Sequence, residues 1–505
     1  MLRVYIVRCC WSLVFAFGYL YCAAAHASNP WPGIAKADLN YIKKMVEENH
    51  PGYVDPDNPG FKPNLQQHYK NAIGQLKYVQ SLDAVMNLDR EFVASFADDH
   101  FALNLRFERS QKSWAGIKIE RRQRSYRVTK AAPNWPVTLP PLGAELISCD
   151  GRSADEIMNA DILRYRYANY SDEYPRLAYA SKLFIDDGVG FRHLAQECVF
   201  SDASNRQITV PITWRFLEKD SSEWDVEVHP RFEPFSLEAL SSSLYWVRVP
   251  TFFYQTDAAV GDEIKKLSAQ LAKRKFSSKD TVVFDVRGNG GGNSMYGIQL
   301  LKATLGPNRF IRILKEGYRG TNERARFRAS RSYIELLQAE QKDSHLSAEL
   351  RSYYGALAGV MEDSLNAHQL FTVQPKILGE EALGDSLDSV GAGMPGAAAG
   401  DVALPRIVLL TDHFCASACL DFVMYAKSIP TFLQLGETTF ADSRYNEPLF
   451  NLKPLELPSK LGYFWFPSKI EGRRGPFLPD LPYQGDMNDT QALKAWVKSE
   501  PTLLQ

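Results

Sequence analysis

The chain has 505 residues, of which 45% are hydrophobic and 12% aromatic, so its composition is that of a globular protein with two to four domains. Its 58 basic and 59 acidic side chains leave a formal net charge of -1. This balance argues against nucleic acid or an anionic membrane surface as the partner, because the overall field attracts neither.

A signal peptide is predicted at residues 1–27. Arg3 and Arg8 give a positively charged start, residues 9–25 are apolar, and the Ala-His-Ala at 25–27 fits the small-x-small cleavage pattern. An uncleaved anchor helix is the alternative, but the apolar run is short and ends in small residues. We therefore expect a secreted or periplasmic mature chain that begins at Ser28 and has no membrane span after cleavage.

A helical segment that ends in a strand is predicted over 28–112. Apolar side chains recur at helical spacing in "IAKADLNYIKKMVEENH", where Asp38 is the expected helix cap, and helices resume at "LQQHYKNAIGQL" and "SLDAVMNLDREFVASF". The following "HFALNLRFE" alternates apolar and polar side chains, which is typical of a strand.

A β-rich module is predicted over 113–216. Its short strands include "SYRVTKA", "AELISCDG" and "RQITVPITWRF", and a helix is expected to begin at Ser153. The rest of the chain, 217–505, starts with the strand "YWVRVPTFF", a helix, and the strand "TVVFDV", which predicts a parallel β-α-β unit. A charged helical insert is expected at about 310–370 and a flexible Gly/Ala-rich loop at 389–402.

Four cysteines remain after removal of the signal peptide, namely Cys149, Cys198, Cys415 and Cys419. An even number in an oxidising compartment permits disulfides, and proximity in the sequence suggests Cys149–Cys198 and Cys415–Cys419. Free buried thiols are the alternative.

Five residues at 288–292, four of them glycine, directly follow the apolar strand "TVVFDV". They match neither a P-loop, because no Lys-Ser or Lys-Thr follows, nor the spacing of a Rossmann fingerprint. A tight turn or a cradle of N–H groups for an oxyanion remains. A second strand, "RIVLLTD", leads to Ser417 at a helix start, where free N–H groups and the helix dipole favour an anionic intermediate. A helix N-cap is the plain structural alternative for this serine.

Together, "FDVRGNGGGNS" and "VLLTDHFCASACLDF" resemble the tail-specific or C-terminal-processing proteases, serine peptidase family S41. Weaker matches, such as "LGAELISCDGRSADEI" and "GPFLPDLPYQGD", extend the resemblance over most of 36–490. It implies an α/β protein with a crotonase-like (ClpP-like) core, an N-terminal helical segment and a PDZ-like β module. It also implies Ser417 as nucleophile, with the backbone N–H groups of Ala418 and of Gly291 or Gly292 as oxyanion hole.

The chain departs from the family pattern at the general base. The processing proteases carry a Lys about 25 residues after the serine, where this chain has Asp442 in "GETTFADS". An aspartate, with a reference pKa near 4, cannot replace a neutral amine as base. Another branch, resembling the tricorn protease and the retinoid-binding protein repeats, carries D-G-H-T after its N-terminal helices, and "ADDHFALNL" matches its Asp and His. His100 is therefore the predicted base, and His413 is its competitor.

The third catalytic residue is left open by the sequence. Resemblance to the late Glu of the His-containing branch suggests Glu471, while Asp442 and Asp99 are rivals. The predicted function is an exported serine peptidase that forms an acyl-enzyme on Ser417 and acts on a peptide or protein substrate. A catalytically inactive binding protein on the same fold is the alternative. No cofactor or metal is expected, and the sequence indicates neither the cleavage specificity nor the oligomeric state.

Overall fold

A computed structural model describes residues 29–107, 112–122, 124–168, 173–217, 234–253, 258–317, 326–346, 348–373, 404–446, 454–470 and 475–503. The predicted signal peptide, the predicted loop at 389–402 and Glu471 lie outside the described residues. Within the described ranges, no helix combines the length and the apolar character needed to cross a membrane.

The N-terminal segment is helical and ends in a strand, as the sequence predicts. It contains α1 (Trp31–Asn49), α2 (Phe61–Gln75), α3 (Leu82–Ala94) and β1 (Ala102–Leu105). The capping role expected for Asp38 is wrong, because α1 begins earlier, at prolines that suit a first helical turn. Asp38 instead lies buried in the helix, where its Oδ1 accepts the Ser459 N–H at 2.9 Å.

The middle segment is a β-rich module. It contributes β2 (Ser113–Trp114), β3 (Ile117–Arg122), β4 (Ser125–Ala131), β5 (Glu145–Cys149), β6 (Arg152–Ser153), α4 (Ala154–Ile157), α5 (Glu173–Tyr179), β7 (Ile185–Asp186), β8 (Glu197–Ser201), β9 (Gln207–Pro211) and β10 (Arg215–Phe216). Strands β3, β4, β5, β8 and β9 follow one another in an antiparallel sheet, and β6 pairs with β5. The predicted helix start at Ser153 is confirmed, because its side chain forms a capping box with Glu156.

The remaining residues form an α/β core with extra strands and helices. Its elements are β11 (Ser236–Ala239), β12 (Leu244–Arg248), α6 (Ala258–Lys273), β13 (Thr281–Asp285), α7 (Met295–Leu305), α8 (Pro307–Gly317), β14 (Arg326–Arg328), α9 (Arg331–Glu340), α10 (Ala348–Asn366), β15 (Phe371–Val373), β16 (Arg406–Thr411), α11 (Ala418–Lys427), β17 (Phe432–Gly436), β18 (Tyr445–Asn446), β19 (Leu455–Glu456), β20 (Gly462–Trp465), β21 (Lys469–Ile470), β22 (Leu481–Pro482) and α12 (Thr490–Ser499).

The main sheet of the core has the strand order β11-β12-β13-β16-β17-β22. All neighbours pair in parallel except β11 with β12, so the predicted parallel β-α-β unit is confirmed. The side chains of β13 alternate between two apolar clusters: Val282 and Phe284 pack with helices α6, α7 and α11, and Val283 packs with α12. Burial on both faces explains why the central strands read as continuous apolar runs.

The N-terminal helices and the insert share one apolar cluster. Side chains of α1–α3 pack there with Tyr333 of α9, Leu357 of α10 and Phe464 of β20. In addition, β1 pairs antiparallel with β20, with Ala102 opposite Trp465. This pairing ties the residues just before β1 to the second half of the chain.

Both suggested disulfides are present in the structure. Cys149–Cys198 joins the paired strands β5 and β8 of the module. Cys415–Cys419 closes a short ring at the start of α11.

Candidate active site

Two loops meet where β13 and β16 end. These strands are parallel neighbours, with Asp285 opposite Leu410, so their carboxyl ends lie at the same edge of the sheet. The glycine-rich loop 288–292 leaves β13, and the turn that carries Ser417 leaves β16. The two unusual sequence motifs are therefore adjacent in space.

A buried ion-pair network supports the glycine-rich loop from below. Asp285, which is fully buried, accepts two hydrogen bonds from the Arg287 guanidinium, at 2.7 and 2.6 Å. Arg248 of β12 donates to the Arg287 carbonyl at 2.7 Å. Asn289 also holds the loop in place. Its Oδ1 accepts the Gly291 N–H at 3.0 Å, and its Nδ2 donates to the carbonyl of Val249, the residue after β12, at 3.2 Å.

Asp412 connects the two loops. Its Oδ2 accepts the Gly288 N–H at 2.8 Å, and its Oδ1 accepts the Phe414 N–H at 3.1 Å. Burial raises the pKa of Asp412 to about 6, with the charge of His413 and these N–H groups opposing the rise. The carboxylate thus fixes the glycine-rich loop to the turn that precedes Ser417.

Ser417 has a backbone conformation that non-glycine residues rarely adopt. Its φ is 51° and its ψ is -120°, and helix α11 begins at the next residue. Such conformations cost about 1–3 kcal/mol and persist where the surroundings enforce them, commonly at functional sites. The Ser417 backbone N–H donates to Asp442 Oδ1 at 3.2 Å, so Asp442 contacts the Ser417 turn directly.

The glycines at 291 and 292 are required by close packing. A Cβ at Gly291 would lie 2.7 Å from Ser417 Cβ and 2.7 Å from the Ala416 carbonyl oxygen. A Cβ at Gly292 would lie 1.9 Å from the Phe252 carbonyl oxygen. Both residues also have positive φ, 98° and 132°, which favours glycine.

Of the backbone N–H groups around Ser417, some already donate a hydrogen bond within the protein and others do not. The Gly291 N–H donates to Asn289 within the loop. In the part of the chain that the structure describes, the N–H groups of Gly292 and Ala418 have no acceptor. Of the predicted oxyanion donors, this pair is therefore available to bind an anionic oxygen, and the Gly291 N–H is engaged elsewhere.

His100 approaches this region through a chain of polar contacts. The backbone N–H of His100 donates to Asp98 Oδ1 at 2.9 Å, and Nδ1 of its ring lies 3.8 Å from the same oxygen. Asp98 Oδ2 accepts the Ser443 hydroxyl at 3.0 Å, and Ser443 follows Asp442, which holds the Ser417 N–H. Burial raises the pKa of Asp98, an effect that Asp442 reinforces and His100 and Ser443 oppose.

The rival histidine, His413, is paired with a carboxylate. Its Nδ1 lies 3.1 Å from Glu437 Oε2. Burial alone would lower the pKa of His413, but the hydrogen bond and charge of Glu437 outweigh it, and the pKa is raised. Among the described residues, Ser417 Oγ makes no hydrogen bond, so neither imidazole is bonded to it. Catalytic hydrogen bonds in unliganded sites are often long and tighten with substrate.

The predicted third residue, Glu471, lies outside the described residues. The last described residue before it, Ile470 of β21, pairs with Tyr445, three positions after Asp442. A cavity of about 520 Å³ lies beside these elements, and Asp98, Asp442 and Ser443 contribute to its wall. Of the other candidates for the third role, Asp442 contacts the Ser417 turn. Asp99 lies near Tyr179 instead: burial raises the pKa of that phenol, and the charge of Asp99 adds to the rise.

Residues 244–468 match the sequence model of peptidase family S41. Over this segment, which is less than half of the chain, the sequence is similar to the S41 peptidases. The matched segment contains Ser417, Gly291, Gly292 and Asp442. It does not include His100, and Glu471 follows it by three positions.

The fold of the chain is similar to that of mature CPAF, with a TM-score of 0.58 and 12% identity over 92% of this chain and 96% of the other. Mature CPAF complexed with lactacystin is similar with a TM-score of 0.56, at the same identity and coverage. At 12% identity the likeness shows a shared fold. No curated protein matches the sequence.

Three residues have contacts in this site that the sequence did not indicate. Asn289 and Asp412 fix the two loops, and Asp98 connects His100 to the Asp442 turn. Each lies in a quoted motif: Asn289 is inside the predicted loop, Asp412 precedes His413, and Asp98 is the Asp that matches the D-G-H-T pattern. Their partners lie far away in the sequence, and only the fold brings them together.

Proposed function

We propose that the chain is an exported serine peptidase that cleaves peptide bonds through an acyl-enzyme on Ser417. The observation that supports this most strongly is the junction of the two loops. Ser417 has a strained backbone and packs so closely against Gly291 that a Cβ there would lie 2.7 Å from Ser417 Cβ. Beside it, the N–H groups of Gly292 and Ala418 have no acceptor among the described residues. A plain N-cap does not need this arrangement, and the Ser417 side chain caps no helix N–H.

The chemistry follows from these groups. Ser417 Oγ attacks the carbonyl carbon of the scissile bond while its proton passes to a base. The carbonyl oxygen becomes an oxyanion and accepts hydrogen bonds from the N–H groups of Gly292 and Ala418, near the N-terminus of α11. The proton then moves to the leaving amine, and a water molecule hydrolyses the acyl-enzyme by the same steps, which restores Ser417.

We assign the base role to His100. The contact chain from His100 through Asp98 and Ser443 to the Asp442 turn supports this assignment. The pKa of His413, by contrast, is raised, so its imidazole stays protonated to higher pH. A protonated imidazole cannot accept the serine proton, and His413 is therefore less suited to be the base near neutral pH. Glu471 is proposed as the residue that orients the His100 ring.

The finer architecture is also a proposal. We infer that the core is crotonase-like, that the module at 113–216 is PDZ-like, and that 28–112 and 217–505 are the flanking units, with the helical insert at about 310–370. The parallel main sheet with helices on both faces and the antiparallel module sheet support this division. Residues 1–27 are proposed to direct export and to be removed. Intact-mass analysis of the exported chain tests this, and we expect a chain that begins at Ser28.

The alternative is an inactive peptide- or ligand-binding protein on the S41 fold. One observation favours it: Ser417 Oγ makes no hydrogen bond to a base within the described residues. The two functions differ in whether Ser417 is a reactive nucleophile, and this is directly measurable.

The deciding experiment is labelling with a fluorophosphonate probe, which reacts with activated serines. We expect wild type to be labelled at Ser417, Ser417→Ala to be unlabelled, and His100→Gln to be labelled about 10²-fold or more slowly, since a general base typically contributes about 10²–10⁴-fold. His413→Gln is the matched control and should react at close to the wild-type rate. Absence of labelling in the wild type favours the binding protein, and a fast His100→Gln with a slow His413→Gln reassigns the base.

A further inference from the structure

A disulfide encloses the proposed nucleophile. Cys415 and Cys419 are bonded to each other with a sequence separation of 4, so Ser417 is the middle residue of the ring that they close. Both cysteines are fully buried within the apolar cluster that contains α6, α7 and α11. The ring includes Ala418, whose N–H is one of the two proposed oxyanion donors.

The turn at Ser417 needs external restraint, because its φ of 51° and ψ of -120° lie outside the regions that non-glycine residues favour. Hydrogen bonds between Ser417 or its neighbour and other segments help to hold it: the Ala416 N–H donates to the Asn289 carbonyl at 3.3 Å, and the Ser417 N–H donates to Asp442 Oδ1 at 3.2 Å. Both are at the long end of the range for N–H···O bonds. The disulfide adds a covalent restraint between the two ends of the same turn.

The disulfide also reaches the segment that carries Asp442. The Cys415 carbonyl accepts the Phe440 N–H at 3.1 Å, and Phe440 is two residues before Asp442. On the other side, the Cys419 N–H donates to the Ala416 carbonyl at 2.9 Å. Loss of the bond would therefore loosen the Ser417 turn and its contact with Asp442 together.

We propose that the Cys415–Cys419 disulfide is a positioning element of the active site, which holds Ser417 and the Ala418 N–H in register with the glycine-rich loop. This inference rests on the proposed function of Ser417. It implies that the chain is a poor catalyst while its thiols are reduced and becomes competent in an oxidising compartment.

The redox step is thiol–disulfide exchange with a small-molecule thiol. A thiolate attacks one sulfur of the bond and forms a mixed disulfide, and a second thiolate then displaces it. The protein gains two electrons and two protons as Cys415 and Cys419 thiols, and the reductant leaves as its own disulfide. Oxidation by the reverse exchange restores the ring.

The chain contains a matched control in Cys149–Cys198. This disulfide is also buried, lies between β5 and β8 of the module, and closes a loop with a sequence separation of 49. In the loop-closure model, the longer loop has the larger effect on unfolding. Loss of Cys149–Cys198 should therefore lower stability more, and loss of Cys415–Cys419 should lower the catalytic rate more.

The test compares Cys415→Ala/Cys419→Ala with Cys149→Ala/Cys198→Ala in the mature chain, by fluorophosphonate labelling rate, by kcat and KM on a peptide substrate, and by Tm. We expect the first pair to lower kcat and the labelling rate about 10- to 100-fold, with KM changed less than about twofold and the pH profile unmoved, since small misplacements of reacting groups cost rates of this order. We expect the second pair to lower Tm more and to leave kcat per folded molecule unchanged.

A second measurement uses the wild type and therefore does not depend on whether the cysteine variants fold. Wild type is equilibrated in buffers of graded thiol–disulfide ratio, each disulfide is quantified by alkylation and mass, and labelling is followed. The rate should track the oxidised fraction of Cys415–Cys419 and return on reoxidation. The inference is overturned if folded Cys415→Ala/Cys419→Ala has the wild-type kcat. It is also overturned if the labelling rate follows the oxidised fraction of Cys149–Cys198, or of neither disulfide. Failure of the oxidised wild type to label at Ser417 overturns the proposed function instead.

Discussion

At the scale of single residues, the close packing of the site requires two positions without a side chain. Gly291 leaves room for the Ser417 side chain, and Gly292 leaves room for the Phe252 backbone. The neighbouring Gly290 is different, because a Cβ there would meet nothing within 4 Å. A cluster that looks uniform in the sequence therefore contains positions with distinct requirements.

This difference gives a prediction with an internal control. Gly291→Ala should lower kcat by about 10² or more, because its Cβ displaces Ser417 or the loop and disturbs oxyanion binding. Gly290→Ala should retain nearly full activity. Steady-state kinetics of both variants, with circular dichroism to verify folding, make the comparison. Equal activity of the two variants would contradict a role for Gly291 in the packing of the nucleophile.

The assignment of His100 gives a second prediction at this scale. An imidazole base must be neutral, and histidine in general has a pKa of about 6.5, so kcat/KM should rise with pH through roughly 6–7.5 and then level off. In His100→Gln the rate should be low and this limb should disappear. A pH profile of His100→Gln that keeps both the rate and the limb would refute the assignment and point to His413.

At the scale of elements, sequence periodicity predicted the helices and strands well, and failed where a role depends on a distant partner. The pattern around "TVVFDV" and "RIVLLTD" revealed β13 and β16 because burial on both faces leaves continuous apolar runs. Asp38 was misassigned as a cap because its partner, Ser459, is 421 positions away. The pairing of β1 with β20, which relates His100 to the core, is equally invisible in the local sequence.

The junction after α1 gives a prediction about acid stability. His50 follows this helix, its Nδ1 accepts the Gly52 N–H at 2.9 Å, and its ring stacks on Phe61 with centroids 4.6 Å apart. Burial lowers the pKa of His50 to about 3. Because the unfolded chain takes up a proton near its usual pKa of 6.5 and the folded chain does not, stability is lost as the pH falls from about 6.5 to about 3.

The expected loss is on the order of 5 kcal/mol over the whole window and on the order of 3 kcal/mol between pH 7 and pH 4. His50→Asn keeps an acceptor for the Gly52 N–H but does not titrate. Its free energy of unfolding should therefore fall less on acidification than that of the wild type, by that amount. Urea denaturation of both proteins at pH 7, 6, 5 and 4 measures the difference. At pH 7 the variant should be the less stable protein, because ring packing is lost, and the gap should narrow on acidification. Parallel stability curves would show that His50 is not the titrating group.

At the scale of the whole molecule, the module and the core enclose a cavity of about 1260 Å³. Its wall includes Asp412, His413 and Glu437 from the core and a set of basic side chains from the module. These basic residues are Lys118, Arg121, Arg122, Arg127 and Lys130. The cavity thus places these side chains of the module beside the turn that leads to Ser417.

Two of these lysines predict the chemistry of a ligand. Lys118 and Lys130 are cross-strand partners on β3 and β4, and like charges in such positions are destabilising unless an anion neutralises them. Lys118 lies 3.3 Å from Glu120, whereas Lys130 has no ion pair within the described residues. If the module takes a peptide C-terminus by strand addition, as a PDZ-like unit would, the terminal carboxylate should bind near Lys130.

We therefore expect peptides with a free C-terminal carboxylate to bind more tightly than the same peptides with a C-terminal amide, by about tenfold, the value of one charge-assisted hydrogen bond. Fluorescence anisotropy with the Ser417→Ala chain measures both affinities without cleavage. Lys130→Ala should remove the preference, while Lys275→Ala, which changes an exposed lysine on the core, should keep it. Equal binding of acid and amide peptides would show that the module does not recognise the carboxylate, and that its contact with the core serves packing alone.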